Sequence, residues 1–505
     1  LAGKLTLAID VGTGSVRSAL VDASGTILAM SALEHEQIVP QFGWSEQRPD
    51  DWWRGVVRTI REVLDKVPHA RSNIDAIAAC GQMHGTVLVD DAGEPVRDTA
   101  PLWNDKRTVS YVTAFERANR PETYLDDCAN PPTPAWPAFK LQWLRDNDPD
   151  AYNRTGVVLM PKDYINLKLS GEIAMDRTDG GASFLMDPRT GQWSDKMIDL
   201  LGLDRTKLAP LRKPLEILGY VTGKAASETG LREATPVLVG AGDYPAALLG
   251  SGACRPGVGS EVMGTSAIIT AIAKRPLLDP AVCNVGTVEG NWGAFMLLES
   301  GGDAMRWARR AFHGKQLTYA DIVEKAAEAP PGSDRLFFMP YLAGERLGAH
   351  RNARAQFFGL SASHGIAHMH RAVLEGVAFA VKRHINLLDG ISGEPLERIV
   401  ASGGGAKTKF WMKIKASVYN LPILVPAEPE SSIMGCAIMA ATATGRFRNV
   451  EAAADAFVKY AQEVSPDPEW SGIYAPMQVF FERLYRHSQA LYDDLDRLPH
   501  RASSS

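Results

Sequence analysis

Residues 7–29 read LAIDVGTGSVRSALVDASGTILA. Two short apolar runs are split by GTGS, and a third follows the turn DASG. Runs this short, bounded by glycine turns, predict strands over residues 5–10, 16–22 and 26–33, joined as antiparallel hairpins. Asp10 closes the first run, at the mouth of the glycine turn. A helix is expected over 50–67, with Asp50 as its N-cap and Trp53, Val56, Val57, Ile60, Val63 and Leu64 on one face. Two more strands are expected at 74–80 and 86–90, so this part of the chain is mixed α/β.

The opening pattern returns at residues 258–273, VGSEVMGTSAIITAIA, again as strand, glycine turn, strand. Residues 399–423, IVASGGGAKTKFWMKIKASVYNLPI, read as strand, glycine turn and a helix with Phe410, Ile414 and Val418 on one side. The repeat predicts two domains, over 1–253 and 254–505. The last stretch, from about 446, reads as a helical tail appended to the second.

With 505 residues, two or three domains are the expectation at roughly 100–200 residues each. Apolar residues make up 45% and charged residues 22%, the composition of a globular protein, and the net charge of −5 gives no reason to expect nucleic acid or an anionic membrane. No run suits a membrane span or a signal peptide. Five scattered cysteines without a CxxC suit reduced thiols in a cytoplasmic enzyme.

GTGSVR lacks the third glycine of a dinucleotide fingerprint and leads into a strand, so a Rossmann site is rejected. GGGAKT is not a Walker P-loop. A glycine hairpin still binds phosphate through convergent N–H groups, and Asp10 at its mouth suits Mg2+. An ordinary hairpin turn is the competing reading.

Asp243, in VLVGAGDYPAALLG, starts a helix that follows a strand and a glycine turn. It reads either as a helix N-cap or as a general base that deprotonates an attacking hydroxyl. CGQMHG (80–85) and PLWNDKRT (101–108) gather Gln82, His84, Asn104, Asp105 and Arg107, able to bind hydroxyls, with Trp103 able to stack on a sugar. A surface loop with one buried tryptophan is the alternative. His364, His368 and His370 read as solvated helix residues, with 364 and 368 on one face, and no zinc is expected.

The arrangement resembles the FGGY family of carbohydrate kinases over roughly residues 5–445. WPAFKLQWLRDN carries Pro137, Lys140, Leu141, Trp143, Leu144, Asp146 and Asn147 of one family signature. AQFFGLSASHGIAHMHRAVLE carries Ala355, Phe357, Gly359, Leu360, His368, Met369, Ala372, Val373, Leu374 and Glu375 of the other. The resemblance implies an α/β fold of two actin-like, ribonuclease-H-like domains with mixed sheets and a cleft between them, the sugar mostly on the first and ATP on the second. It implies Asp10 as the Mg2+-associated acid and Asp243 as the catalytic base. Gly12, Thr13, Gly14 and Ser15 would form one phosphate hairpin, and Gly264 and Thr265 the other. Gly302, Gly403, Gly404 and Thr408 would contact the nucleotide, and Gln82, Met83, His84, Trp103, Asn104 and Asp243 the sugar.

GQMHG and LWNDKR are similar to the xylulokinase branch, where glycerol kinases carry Arg-Glu in place of Met83-His84. Tyr244 and Pro245 after the base, and LGAH at 347–350, depart from that branch. The expected reaction is ATP-dependent phosphorylation of the terminal hydroxyl of a ketopentose, D-xylulose first. Ribulose, erythrulose or another small polyol is the alternative, and an actin-like switch ATPase a more distant one. The expected partners are the sugar and ATP, with no nucleic acid and no membrane, and a homodimer is the expected assembly.

Overall fold

The computed structural model describes residues 4–314, 316–345 and 351–499; the LGAH segment lies outside them. The chain divides into two compact units. One comprises Leu1–Arg255, Lys274–Gly293 and Glu428–Lys459, and the other Pro256–Ala273, Ala294–Ala427 and Tyr460–Ser505.

The first unit is built on Leu5–Val11, Ser15–Val21 and Ile27–Glu34, an antiparallel meander. Every residue of Leu5–Val11 is buried, as a central strand covered on both faces requires. The DASG turn closes because Gly25 takes φ +85° and the Asp22 carboxylate accepts the Ser24 and Thr26 amides at 2.8 and 3.0 Å. Ile74–Gly81 then pairs parallel to Leu5–Val11, Pro236–Leu238 parallel to Ile74–Gly81, and Ile217–Tyr220 antiparallel to Pro236–Leu238. Ala241–Gly242 also pairs parallel to Ile74–Gly81.

The second unit repeats this plan. Val258–Met263 and Ala267–Ala273 form the hairpin, Arg398–Gly403 lies parallel to the first of them, Ile423–Pro426 parallel to that, and Tyr460–Val464 antiparallel at the end. Trp292–Leu298 adjoins the hairpin on its other side. Two copies of a mixed sheet, each entered through a glycine hairpin, make this the doubled ribonuclease-H-like, actin-like architecture.

The helices lie where each sheet needs cover. Pro49–Lys66 begins with Pro49 at N1, which excludes Asp50 from the N-cap; Arg48 holds that position and Asp50 accepts the Tyr164 hydroxyl at 3.1 Å. Trp52, not Trp53, enters the core with Val56, Ile60, Val63 and Leu64. In the first unit, Asp243–Gly250 lies against Ser431–Ala443 at backbone contact. A Cβ on Gly250 would stand 1.8 Å from the Ser431 carbonyl oxygen, and one on Gly435 2.0 Å from that of Ala246. In the second unit, buried Glu261 accepts from Lys415 at 3.0 Å and Tyr419 at 2.9 Å, pinning Lys409–Tyr419 to its strand.

The expected helical tail is corrected. Val450–Phe457 is a helix of the first unit, Tyr460–Val464 is an edge strand of the second sheet, and only Pro468–Arg497 is the long helix expected. The histidine reading also changes. His364 precedes the helix Ile366–Ser392, whose first turn His368 caps by accepting the Gly365 amide at 3.1 Å. His370 is buried, its Nε2 2.8 Å from that of His313. The five cysteines are buried and none is in a disulfide. Among the described residues, no helix is long and apolar enough to cross a membrane.

Candidate active site

Three parallel strands of the first sheet deliver their C-terminal ends to one place. The register pairs Asp10 with Cys80 and Val11 with Gly81, and Ala241 with Cys80 and Gly242 with Gly81. Asp10, Gln82 and Asp243 therefore leave the sheet side by side, at the strand ends where open α/β sheets place their sites.

Asp10 is buried. Its Oδ2 accepts the Ser432 hydroxyl at 2.6 Å and the Arg17 guanidinium, which also pairs with Glu430. Its Oδ1 is buried with no hydrogen-bond partner among the described residues, and a hard oxygen of this kind fits Mg2+ or a water bound to it. The sequence marks Arg17 only as the residue that replaces the third glycine of a fingerprint and gives it no role, yet hairpin pairing puts it opposite Asp10.

The GTGS turn closes with the Gly12 amide on the Ser15 carbonyl at 3.0 Å, and Gly14 has open space where a Cβ would stand. Thr13 joins this turn to the expected sugar face. Its hydroxyl donates to Gln82 Oε1 at 3.2 Å and accepts the Trp103 indole N–H at 3.0 Å. Gln82 is buried and donates to Gln47 at 2.8 Å, while Gln47 donates to the Thr13 carbonyl at 2.6 Å. Gln82 thus braces the turn from beneath, with Gln47, a residue carrying no local sequence signal, as its partner. Trp103 is 42% exposed and Asn104 Oδ1 is buried without a partner among the described residues.

Asp105 and Arg107 serve the scaffold. The Asp105 carboxylate accepts the Ser45 amide at 2.7 Å and the Arg107 Nε at 2.9 Å, and Arg107 stacks 3.8 Å from the Trp44 ring centre.

His84 sits at φ +67°, costly for a residue with a Cβ. Its carbonyl accepts the buried Lys140 ammonium at 2.6 Å, and its Nδ1 lies 3.0 Å from the Ala182 carbonyl. A carbonyl only accepts, so Nδ1 carries the proton and Nε2 is an acceptor. Burial, with Lys140 nearby, lowers its pKa to about 3, so the ring is neutral at physiological pH. Met83 packs over Gly242, where a Cβ would stand 2.7 Å from Met83 Cγ.

Asp243 is the first residue of its helix, with Gly242 at the cap. Burial, and next the charge of Asp10, raise its carboxyl from 3.8 to about 7, while the Tyr244 amide it accepts pulls the other way. Gly242, not Asp243, therefore holds the N-cap position and no side chain caps this helix, which corrects the N-cap reading of Asp243.

The glycines of the second unit also converge. Gly302 donates to the Gly264 carbonyl at 3.0 Å and Asp303 to that of Thr265 at 3.0 Å, while Arg306 reaches the Thr265 hydroxyl at 3.2 Å. A Cβ on Gly302 would stand 2.3 Å from the Gly264 oxygen, and one on Gly403, at φ +81°, 2.5 Å from that of Met263. Gly404 follows, and Thr408 holds the N-cap position of Lys409–Tyr419. The result is a surface of bare main chain, which fits a nucleotide's phosphates and sugar.

The models of the FGGY family of carbohydrate kinases match here, the N-terminal domain over residues 5–250 and the C-terminal domain over 259–444. The xylulose kinase of Lactococcus lactis subsp. lactis (strain IL1403) is 28% identical over 97% of this chain and 98% of that one. The autoinducer-2 kinase of Enterobacter sp. (strain 638) is 29% identical over 96% of this chain and 95% of that one. The crystal structure of xylulose kinase from Rhodospirillum rubrum superposes with a TM-score of 0.90 at 28% identity, covering 97% of this chain and all (100%) of that one. With both family models matched in order and most of the chain accounted for, the protein belongs to the FGGY family of carbohydrate kinases.

Proposed function

We propose that this chain transfers the γ-phosphate of ATP to the terminal hydroxyl of a ketopentose, with D-xylulose the first acceptor to test. The observation that carries the reading is Asp243 with its carboxyl raised to about 7, directly after Ala241–Gly242, which pairs on one side of Ile74–Gly81 with the same Cys80 and Gly81 that pair with Asp10 and Val11 on the other. A base near neutrality takes a proton from an alcohol while staying largely ionised at working pH.

In this reading Asp243 receives the hydroxyl proton as the acceptor oxygen bonds to the γ-phosphorus and the bond from that phosphorus to the β–γ bridging oxygen breaks, ADP leaving with that oxygen. The neutral His84 accepts a second sugar hydroxyl at Nε2, Met83 forms an apolar wall, and Trp103 covers the sugar's C–H face. Arg17 supplies positive charge beside Asp10. Asp10 would hold Mg2+, which, when bound, neutralises phosphate charge. Gly264, Thr265, Gly302, Gly403, Gly404 and Thr408 would take the nucleotide on main chain and hydroxyl groups. Five buried cysteines outside disulfides suit a reducing compartment, so the reading places the enzyme in the cytoplasm.

The curated relatives include autoinducer-2 kinases as well as xylulose kinases at similar identity, so the panel extends beyond ketopentoses. The test is ADP release from ATP with D-xylulose, D- and L-ribulose, erythrulose, glycerol and gluconate. Saturable, sugar-dependent ADP release with D-xylulose strongest is expected, and ADP release indifferent to every acceptor contradicts the reading.

A further inference from the structure

The backbone just before Asp243 has little of its own to hold it. Gly240 takes φ +75° with no room for a side chain, since a Cβ there would stand 2.0 Å from the Ala79 carbonyl oxygen. Gly242 is equally bare, pressed by Met83. The placement of the next carboxylate therefore depends on what grips this turn from below.

The grip is a buried polar chain. The Gly242 N–H donates to the Thr178 hydroxyl at 3.0 Å. That hydroxyl donates its own proton to Asp176 Oδ1, so its lone pair is left to accept Gly242, and the direction of the chain is fixed. Asp176 Oδ1 also accepts the Thr178 amide at 2.7 Å, and its Oδ2 lies 2.9 Å from the Lys162 ammonium. The same ammonium reaches the Val239 carbonyl at 3.3 Å, which Asn166 also holds at 2.8 Å. One fully buried lysine thus grips both ends of the turn, Val239 directly and Gly242 through Asp176 and Thr178.

Asp163, Asp176 and Asp179 have the spacing of a cation site, but the ammonium of Lys162 contacts all three, within 3.8 Å of Asp179. Burial, with Asp176 beside it, raises the Asp179 carboxyl well above its usual range, which favours its neutral form. Such clusters rarely raise stability over an apolar core, and here the geometry is carried by the bonded members, Thr178, Asp176 Oδ1 and Lys162.

We propose that Thr178 is a positioning residue for the reaction, its hydroxyl setting where Asp243 stands by holding the Gly242 amide. The inference rests on the reading of Asp243 as the base. Thr178 touches neither substrate nor the reacting atoms in this scheme; it acts through the main chain.

The test compares Thr178→Val, which keeps the shape and loses the hydroxyl, with Thr178→Ser, which restores it. The full-length parent and both variants are assayed on the acceptor that the parent uses best. Thr178→Val lowers kcat by about 10- to 100-fold, the scale of a misplaced catalytic group, with KM for sugar and ATP within about threefold of the parent. Thr178→Ser recovers kcat to within about threefold on the same scale. If the valine variant does not fold, Thr178→Ala carries the same expectation. A valine or alanine variant with parental kcat overturns the inference, as does a serine variant as slow as valine, or a loss confined to KM. A parent active on sugar beside an unaffected Thr178→Val removes this inference alone. A parent inactive on every acceptor removes the reading of Asp243 and this inference with it.

Discussion

The Trp103 indole donates to the Thr13 hydroxyl at 3.0 Å, so the first glycine turn and the aromatic of the expected sugar face form one hydrogen-bonded unit. Trp103→Phe keeps a ring and removes the N–H. A bond of this kind contributes about 1 kcal/mol, so the sugar KM rises about fivefold. Thr13→Val removes both bonds of the hydroxyl and raises the KM for sugar and for ATP together. Initial-rate kinetics with each substrate varied separate the two variants.

Asp243 gives the pH profile its shape. A base must be ionised, so kcat/KM falls about tenfold per pH unit below about 7 and levels off above it. The sign for stability is opposite. The folded carboxyl, at about 7, binds a proton that the unfolded one, at 3.8, has released; this stabilising contribution is present below about 4 and is lost as pH rises to about 7. Asp243→Asn cannot ionise, so it melts above the parent at pH 8 while losing on the order of 100- to 10,000-fold in kcat. Calorimetry and turnover at that pH check both halves.

Lys140 holds the His84 carbonyl at 2.6 Å from a fully buried position. Lys140→Met leaves that carbonyl without its donor and frees a strained φ +67° residue to relax. The sugar KM rises about tenfold and the ATP KM stays within about twofold, as expected when one buried hydrogen bond under a binding residue is lost. Substrate-saturation curves for the variant decide it.

In the second unit, Gly302→Ala drives a Cβ to 2.3 Å from the Gly264 oxygen, whereas Gly264→Ala meets nothing within 4 Å. The first displaces backbone and the second does not, so nucleotide affinity falls about tenfold or more in Gly302→Ala and less in Gly264→Ala. Calorimetric titration with ADP measures both.

Much of this was legible because turn chemistry and strand length are local signals. The two GT hairpins, the SGGG turn and the helix at Asp243 stand where the glycines and apolar runs put them. Tyr460–Val464 does not show as a strand in the sequence because an exposed edge strand, YAQEV, buries none of its residues and carries no apolar–polar alternation. Trp52 and Trp53 are adjacent, and which one enters the core is set by the Pro49 start of the helix. Arg17 was recoverable by counting, since a hairpin closed at Gly12–Ser15 pairs residue 10 with residue 17. Gln47, Ser432, Glu430 and Thr178 were not, because their partners lie 34 to 422 residues away or depend on a buried network.

The most direct measurement is sugar-dependent ADP release by the full-length protein and by Asp243→Asn, side by side, with D-xylulose and the wider acceptor panel. The account predicts saturable release by the parent with D-xylulose strongest, and a variant slowed on the order of 100-fold or more with sugar KM little changed. A parent whose ATP consumption ignores every acceptor, or a variant that keeps the parent's turnover, contradicts it.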